Sequence, residues 1–496
     1  MRKIGKIISA GAGTSMTDKE FLEQEIARWK RSAMRKQSFL GERYYHSRHD
    51  ILKRKRTAIG KDGALVEVKN LPNNRKIDNQ YAKMVDQKVN YLVGKPLTFE
   101  SENKDYTETL KKVFSGKFQR MFRNASEASL NGAIAWIYPF YAKDGSLQFT
   151  FFKSHEILPF WADSEHTKLD LAVRIYQTEV YEGFSRRIIE RVEVYRPEGV
   201  EYYELDQGEL VPDSYRNKKD YIVFENNEGG SDSYNWGKVP LIPLRYNSQE
   251  IPLIQRLKGL QDGINAIISD FQNNMQEDYR NTILVIENAE GTDLGEFRQN
   301  LTQFGVVKVR STSDAKGGVT ALEVKVNSEN YKAILEIFKR ALISNAMGYD
   351  ATDLRTTGSP NQMNIKSVLN DIDLDANRME TEYQAAFEEL LEFVKVYLYN
   401  ADLGDFTHDS VEVIFNRDTI ISESEVIQDI KNSVGILSDE TLVAQHPYVK
   451  NVESELEKLE KQRGEDERDL EYQDAFQPRL ESGGMNGERG VLEKKG

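Results

Sequence analysis

One apolar stripe dominates the sequence. Ile365, Val368/Leu369, Ile372, Ala376, Met379, Tyr383, Phe387, Leu390, Val394 and Leu398 recur every three or four positions. That period predicts one helix over 365–400. A helix of about 36 residues is about 54 Å long, far beyond the usual helix of about 11–12 residues. It cannot bury its stripe inside an ordinary small domain. It must cross several layers or lie against copies of itself.

Two further stripes precede it. Ile254, Leu257, Leu260/Gln261, Ile264, Ile268, Phe271 and Met275 predict a helix of about 26 residues after Pro252. Tyr331, Ile334/Leu335, Phe338, Leu342 and Ala346 predict another over Glu329–Met347, stopping at Gly348. Between them, residues 279–327 lose the helical period. Thr282–Glu287, Gly305–Arg310 and Val319–Val326 are strand-like, and Asp293 can cap a short helix running to Phe304. The pattern is a compact α/β insert between two helices. Residues 349–362 are polar and turn-rich, with Thr356-Thr357-Gly358-Ser359-Pro360, and read as a loop.

The first half of the chain is mixed. Leu110–Asn131 reads as helical. Ala133–Tyr141 and Leu147–Lys153 read as a hairpin around Lys143-Asp144-Gly145, since Asp-Gly suits a tight turn. Leu171–Tyr181, Arg186–Tyr195 and Val200–Leu205 are rich in β-branched and aromatic residues and read as antiparallel strands. Leu241–Asn247 is a short extended segment bracketed by prolines. The fold class is therefore α+β. Toward the end, Val411–Phe415 is a short strand, Ser422 and Glu425 form a capping box, Ser438 caps a second helix, and a third begins near Val449. Residues 451–496 hold 13 acidic and 8 basic residues. From 466 to 496 the composition reads as a disordered tail.

Charge narrows the function classes. The 496 residues carry 67 Lys+Arg against 80 Asp+Glu, a net of −13. Broad nucleic-acid grip comes from Lys and Arg displacing counterions, so this balance argues against it. A protein that merely surrounds nucleic acid is still allowed. Residues 1–60 are the exception, with 15 basic and 6 acidic residues and the run Lys53-Arg54-Lys55-Arg56. That run is either an anion contact or a solvated helix end. The chain has no cysteine, which excludes disulfides, thiol nucleophiles and Cys-ligated metals. The longest uncharged stretch, Ala128–Ala142, is too short and interrupted to span a membrane. No signal peptide is expected from Ile7–Gly13, so the chain reads as soluble and cytoplasmic where it is made.

No catalytic constellation emerges, and neither a cofactor nor a metal is expected. The glycines at 11 and 13 lack the Lys-Ser/Thr of a phosphate loop. His155-Glu156 does not open a His-Glu-x-x-His site, because position 159 is Pro. His46 and His49 are a close pair without a third ligand. Asp371, Asp373 and Asp375 resemble part of a nuclease cluster, but only Asp371 and Asp375 share a helical face. The plain reading of that group is a solvated acidic face.

Several stretches, taken in order and spacing, nevertheless carry a likeness. They are Tyr44-Tyr45, His49-Asp50-Ile51-Leu52, Asn73-Asn74-Arg75-Lys76-Ile77, Tyr81-Ala82-Lys83-Met84-Val85-Asp86-Gln87-Lys88-Val89-Asn90-Tyr91-Leu92-Val93-Gly94-Lys95-Pro96-Leu97-Thr98, Gly237-Lys238-Val239-Pro240, Ser438-Asp439-Glu440-Thr441-Leu442 and His446-Pro447-Tyr448-Val449. Over about 40–465 the chain resembles the portal proteins of long-tailed double-stranded DNA bacteriophages, the siphophage portal family. Where family members often carry a Ser-Gly-x-Ala-type sequence, this chain reads Ser359-Pro360-Asn361-Gln362-Met363-Asn364-Ile365-Lys366.

The resemblance implies a multi-domain portal fold: a wing over 1–252, a stem helix over 253–278, a clip over 279–327, a second stem helix over 329–347, a tunnel loop over 348–362, a long wing helix and strand over 363–421, and a helical crown over 422–465. It implies a ring of about twelve subunits at one capsid vertex, in the virion, conducting double-stranded DNA during packaging and ejection. Implied partners are the terminase large subunit, then the head–tail connector or adaptor, and the major capsid and scaffolding proteins, with no membrane. Implied DNA-contacting candidates are Arg355, Thr356, Thr357, Asn361, Gln362 and Lys366. The apolar stripe Ile264, Ile268, Phe271 and Met275 would belong to the stem.

Physical estimates agree with a ring. Twelve helices spaced about 10 Å apart lie on a circle about 38 Å across, leaving an opening of about 28 Å, wide enough for one duplex. Residues 253–278 sum to −2 and 363–400 to −5, so a wall built from them would not hold phosphate. Two other readings stay open. A coiled-coil scaffold predicts dimers or filaments but leaves the α/β insert unexplained. A nuclease using Asp371 and Asp375 predicts Mg²⁺-dependent cleavage.

Overall fold

A computed structural model describes residues 17–59, 63–69, 71–214, 216, 218–225, 231–277, 283–287, 318–322, 328–352, 362–417, 423–449 and 451–475. The chain divides into two compact units. The larger comprises 1–353 and 368–419, the smaller 354–367 and 420–496.

The larger unit opens with helices α1 (Asp18–Arg31) and α2 (Ala33–Tyr45). Thr17 caps α1 through a capping box with Glu20, and Ser32 both ends α1 and caps α2. After a small hairpin, β1 (Thr57–Ile59) with β2 (Leu65–Glu67), comes α3 (Gln80–Val93), capped by Asn79. Strand β3 (Thr98–Glu100) then leads to α4 (Lys104–Val113) and α5 (Gly116–Gly132). The single helix expected over Leu110–Asn131 is thus two. Phe114 leaves helical backbone (φ −87°, ψ 52°) with its ring buried, and Ser115 starts the next helix.

The hairpin expected around Asp144-Gly145 is present as β4 (Ile134–Tyr141) and β5 (Leu147–Lys153), with Gly145 at φ +80°. Next come β6 (Ile157–Trp161), β7 (Leu169–Glu182), β8 (Ser185–Arg196), β9 (Gly199–Asp206) and β10 (Glu209–Pro212), an antiparallel meander. Its inner half is covered on both faces, while the β7–β8 tip with Tyr181 and Ile188 is exposed. Leu171, Val173 and Ile175, two residues apart, meet Phe21, Leu22, Ile26 and Trp29 of α1. Ala172 and Tyr195 point the other way, into a cluster with Trp136, Phe152 and Leu241. Arg174 falls on a buried strand and is neutralised there by Glu156 and Glu193 at 3.0 and 3.3 Å. A hairpin of β11 (Ile222–Glu225) and β12 (Ser231–Tyr234) follows, then β13 (Ile242–Arg245), which pairs with β4.

Helix α6 (Ile254–Glu277) and helix α7 (Ser328–Asn345) match the two predicted stripes. Between them, β14 (Ile283–Glu287) pairs antiparallel with β15 (Gly318–Leu322). The strand Gly305–Arg310 and the helix capped by Asp293 lie outside the described residues. Helix α8 (Gln362–Asn400) is 39 residues long. Leu369, Ile372, Ala376, Met379, Tyr383, Phe387, Leu390, Val394 and Leu398 are all buried. The larger unit covers this stripe within a single chain. Phe387 sits among Phe99, Phe114, Phe118, Phe122 and Phe415 at centroid distances of 5.2–6.5 Å. Tyr383 and Ser129 share a buried hydrogen bond of 2.9 Å. Of the two ways to bury a helix this long, the chain uses layers of its own. Strand β16 (Glu412–Ile414) then returns to pair with β3.

In the smaller unit, α9 (Glu423–Asn432), α10 (Asp439–Ala444) and α11 (Val452–Ala475) follow. Ser438 caps α10 by accepting from the Thr441 amide, as its position predicts. The capping box of Ser422 lies outside the described residues. Helix α11 continues to Ala475, past the tail boundary expected at 466. Among the described residues, no helix is long and apolar enough to cross a membrane.

Candidate functional site

Helices α6 and α7 form an antiparallel pair. Gly263 lies against the Phe338 ring, where a Cβ would stand 2.4 Å from it. Phe271 meets Tyr331 at 5.2 Å, and the Asn274 amide donates to the Tyr331 hydroxyl at 2.7 Å. The four stripe residues of α6 fare differently: Ile264 is buried, Ile268 and Phe271 are half-buried, and Met275 is exposed. On α7, Ile334 and Ile337 are also exposed.

One fully buried face of α6 is polar. Gln261, Asn265, Ser269 and Asn273, each four residues from the next, are all fully buried. They hold the extended segment 73–79. Asn273 accepts from the Asn74 amide at 2.7 Å, Ser269 from Lys76 N–H at 2.9 Å, and Asn265 from Asp78 N–H at 3.1 Å. Gln261 accepts from Tyr81 N–H and donates to the Asp78 carbonyl. The spacing is a geometric match. Four helical residues rise about 6 Å, and two extended residues span about 6.6 Å. Alternate backbone amides of the segment therefore meet successive turns of the helix. Lys339 of α7 reaches the Asp78 carboxylate at 2.6 Å, so the same segment is tied to both helices.

The first turns of α6 are anchored by charge. Tyr44 donates to Asp262 at 2.6 Å, and Lys258 bridges Asp262 and Asp50 at 2.6 and 2.8 Å. Burial, outweighed by the bonds from Lys258 and Arg43, leaves the Asp50 carboxyl at about 2. From the basic run, Arg54 pairs with Asp270 at 2.6 Å and Lys55 with Glu67 at 3.1 Å.

His49 is buried, and both its ring nitrogens are taken. Nδ1 faces the Asn265 amide at 2.7 Å and Nε2 faces the Tyr44 carbonyl at 2.9 Å. Since the amide donates, the ring is neutral with its proton on Nε2, and burial lowers its pKa accordingly. It has no lone pair for a metal. Among the described residues, no three His, Asp or Glu side chains are placed to hold an ion.

The acidic group on α8 is not one solvated face. Asp371 is exposed, but Asp375 is buried and pairs with the buried Lys88 at 2.6 Å. Asp373 accepts from Tyr91 at 3.2 Å and from Arg417. Part of the acidic sum on the long helices is thus spent inside the chain. Asp262, Asp270, Asp373, Asp375, Glu380 and Glu392 all have internal cationic partners. Arg355, Thr356, Thr357, Asn361 and the Gln362 side chain lie outside the described residues, and Lys366 is exposed on α8.

Residues 25–469 match the family model described as phage portal protein, SPP1 Gp6-like. The chain belongs to that phage portal protein family. It is 28% identical to the portal protein of Bacillus phage SPP1 over 430 residues, covering 85% of this chain and 82% of that one. It is 24% identical to the portal protein of Clostridium phage phiCD119 over 444 residues, covering 86% and 92%. The family places the chain among structural proteins of the phage capsid, not enzymes. Asn74 and Lys76, within one of the stretches that carry the resemblance, supply amides that the α6 ladder binds. The signal was present in the sequence as polar residues at 261, 265, 269 and 273, but that pattern also describes a wet helix face.

Proposed function

We propose that the chain assembles into a homo-oligomeric ring of about twelve subunits at one capsid vertex, and that the ring conducts double-stranded DNA during packaging and ejection. The observation carrying this reading is the portal family match over 25–469, together with an antiparallel helix pair, α6 and α7, flanking an insert. Met275, Ile334 and Ile337 are apolar and exposed on that pair. A neighbouring copy would cover them, as ring closure requires.

In this reading α6 and α7 form the stem, and 279–327 forms the clip that docks the terminase large subunit and later the head–tail connector. The wing would meet the major capsid and scaffolding proteins, and 422–465 would be the crown. Arg355, Thr356, Thr357, Asn361, Gln362 and Lys366 are the candidate DNA contacts. Assembly would take place in the host cytoplasm, before the ring becomes part of the virion.

The test is head assembly with and without the chain. Heads assembled without it should hold no DNA, and the wild-type chain should restore filled heads. Filling without the chain would end the reading. Arg355→Ala/Lys366→Ala should slow filling; an unchanged rate would remove those two residues from the contact set.

A further inference from the structure

The stretch Tyr81–Thr98 contains two side chains with an unusual task. Helix α7 ends at Asn345, and Met347 takes left-handed backbone (φ 52°), where glycine is usual. Such backbone persists only where its surroundings hold it. Here three consecutive residues are held by α3. Lys88 donates to the Met347 carbonyl at 3.3 Å. Gly348 presses on Met84 and Gln87 so closely that a Cβ would stand 2.7 Å from the Met84 sulfur. The Gln87 amide grips Tyr349 from both sides, donating to its carbonyl at 2.9 Å and accepting from its N–H at 3.1 Å.

Lys88 makes a second connection. Its ammonium group pairs with Asp375 of α8 at 2.6 Å, and Tyr246 donates to the same carboxylate oxygen at 3.1 Å. One buried cation therefore joins the end of α7 to the middle of α8. Burying that charge is costly: desolvation lowers its pKa despite the Asp375 carboxylate. An apolar pair would fill the space with less penalty, so stability alone is a poor reason for this arrangement.

We infer that Gln87 and Lys88 are positioning residues that hold the end of α7 at a fixed offset from α8. The importance of that offset rests on the portal reading, in which the DNA-contacting candidates lie between these two helices and at the start of α8. Apolar contacts tolerate sliding, whereas a bidentate amide and a shared ammonium fix both distance and register.

The chain has no cysteine, so an introduced pair reports alone. Ser344→Cys on α7 and Asn370→Cys on α8, both exposed, can carry spin labels in chains diluted into unlabelled protein. The distance distribution should be narrow. Lys88→Met/Asp375→Leu removes both charges and leaves no orphan ion. It strands the buried Tyr246 hydroxyl, so its thermal midpoint should fall, yet it should fold, widen the distribution and lose DNA-filled heads. A folded double variant with the wild-type distribution would overturn the inference, whatever its filling. If that variant does not fold, Gln87→Ala serves in its place: a widened distribution supports the inference and an unchanged one overturns it. Should the wild-type chain fill no heads, the portal reading fails while the distances still decide the positioning role.

Discussion

Asn265 shows how much one side chain can settle. Its carbonyl oxygen accepts from Asp78 N–H and from Gln261, and its amide donates to His49, all out of solvent. Asn265→Leu would orphan a backbone N–H and an imidazole nitrogen together. It should cost about 1–3 kcal/mol in urea unfolding, because buried polar groups lose their partners without gaining water. Ser269→Ala should cost less, since Lys76, whose amide it serves, is exposed and water can replace the hydroxyl. Equal costs would mean that the ladder is not the anchor described. His49 and Asp375 carry the same lesson. Each reads in sequence as a possible ligand or catalyst, and each is consumed by a buried partner.

At the scale of elements, the contact most exposed to test is Gly263 against Phe338. A valine there must displace the ring or part the helices. Gly263→Val should destabilise the chain by about 1–3 kcal/mol, as overpacked contacts do, and calorimetry would check it. What the sequence disclosed, and what it hid, follows from the kind of contact. The α8 stripe was legible because its apolar residues recur every three or four positions and all from Leu369 to Leu398 are buried. The β4–β5 turn was legible because Gly145 needs positive φ. The break between α4 and α5 was hidden, because Phe114 and Ser115 interrupt the backbone without interrupting the apolar pattern. The polar face of α6 was hidden more deeply. Its partners are backbone amides far off in sequence at 74–81, and no periodicity announces an amide. For the same reason the stripe Ile264, Ile268, Phe271 and Met275 described only part of how α6 is used.

At the scale of the whole molecule, the charge balance gains meaning. A net of −13 per chain argued against broad DNA binding, and twelve copies would carry roughly −156. Internal pairs take up part of the acid on α6 and α8. A conduit needs few fixed cations along its wall, and the long helices supply few. Closure into a ring is the claim on which the channel depends, and a mass measurement reaches it directly. Native mass spectrometry of the purified protein should give one dominant closed species. Twelve copies of the 57.0 kDa chain weigh roughly 680 kDa, and one further subunit would still be a ring. Monomers, dimers or an open-ended series of masses would contradict the account.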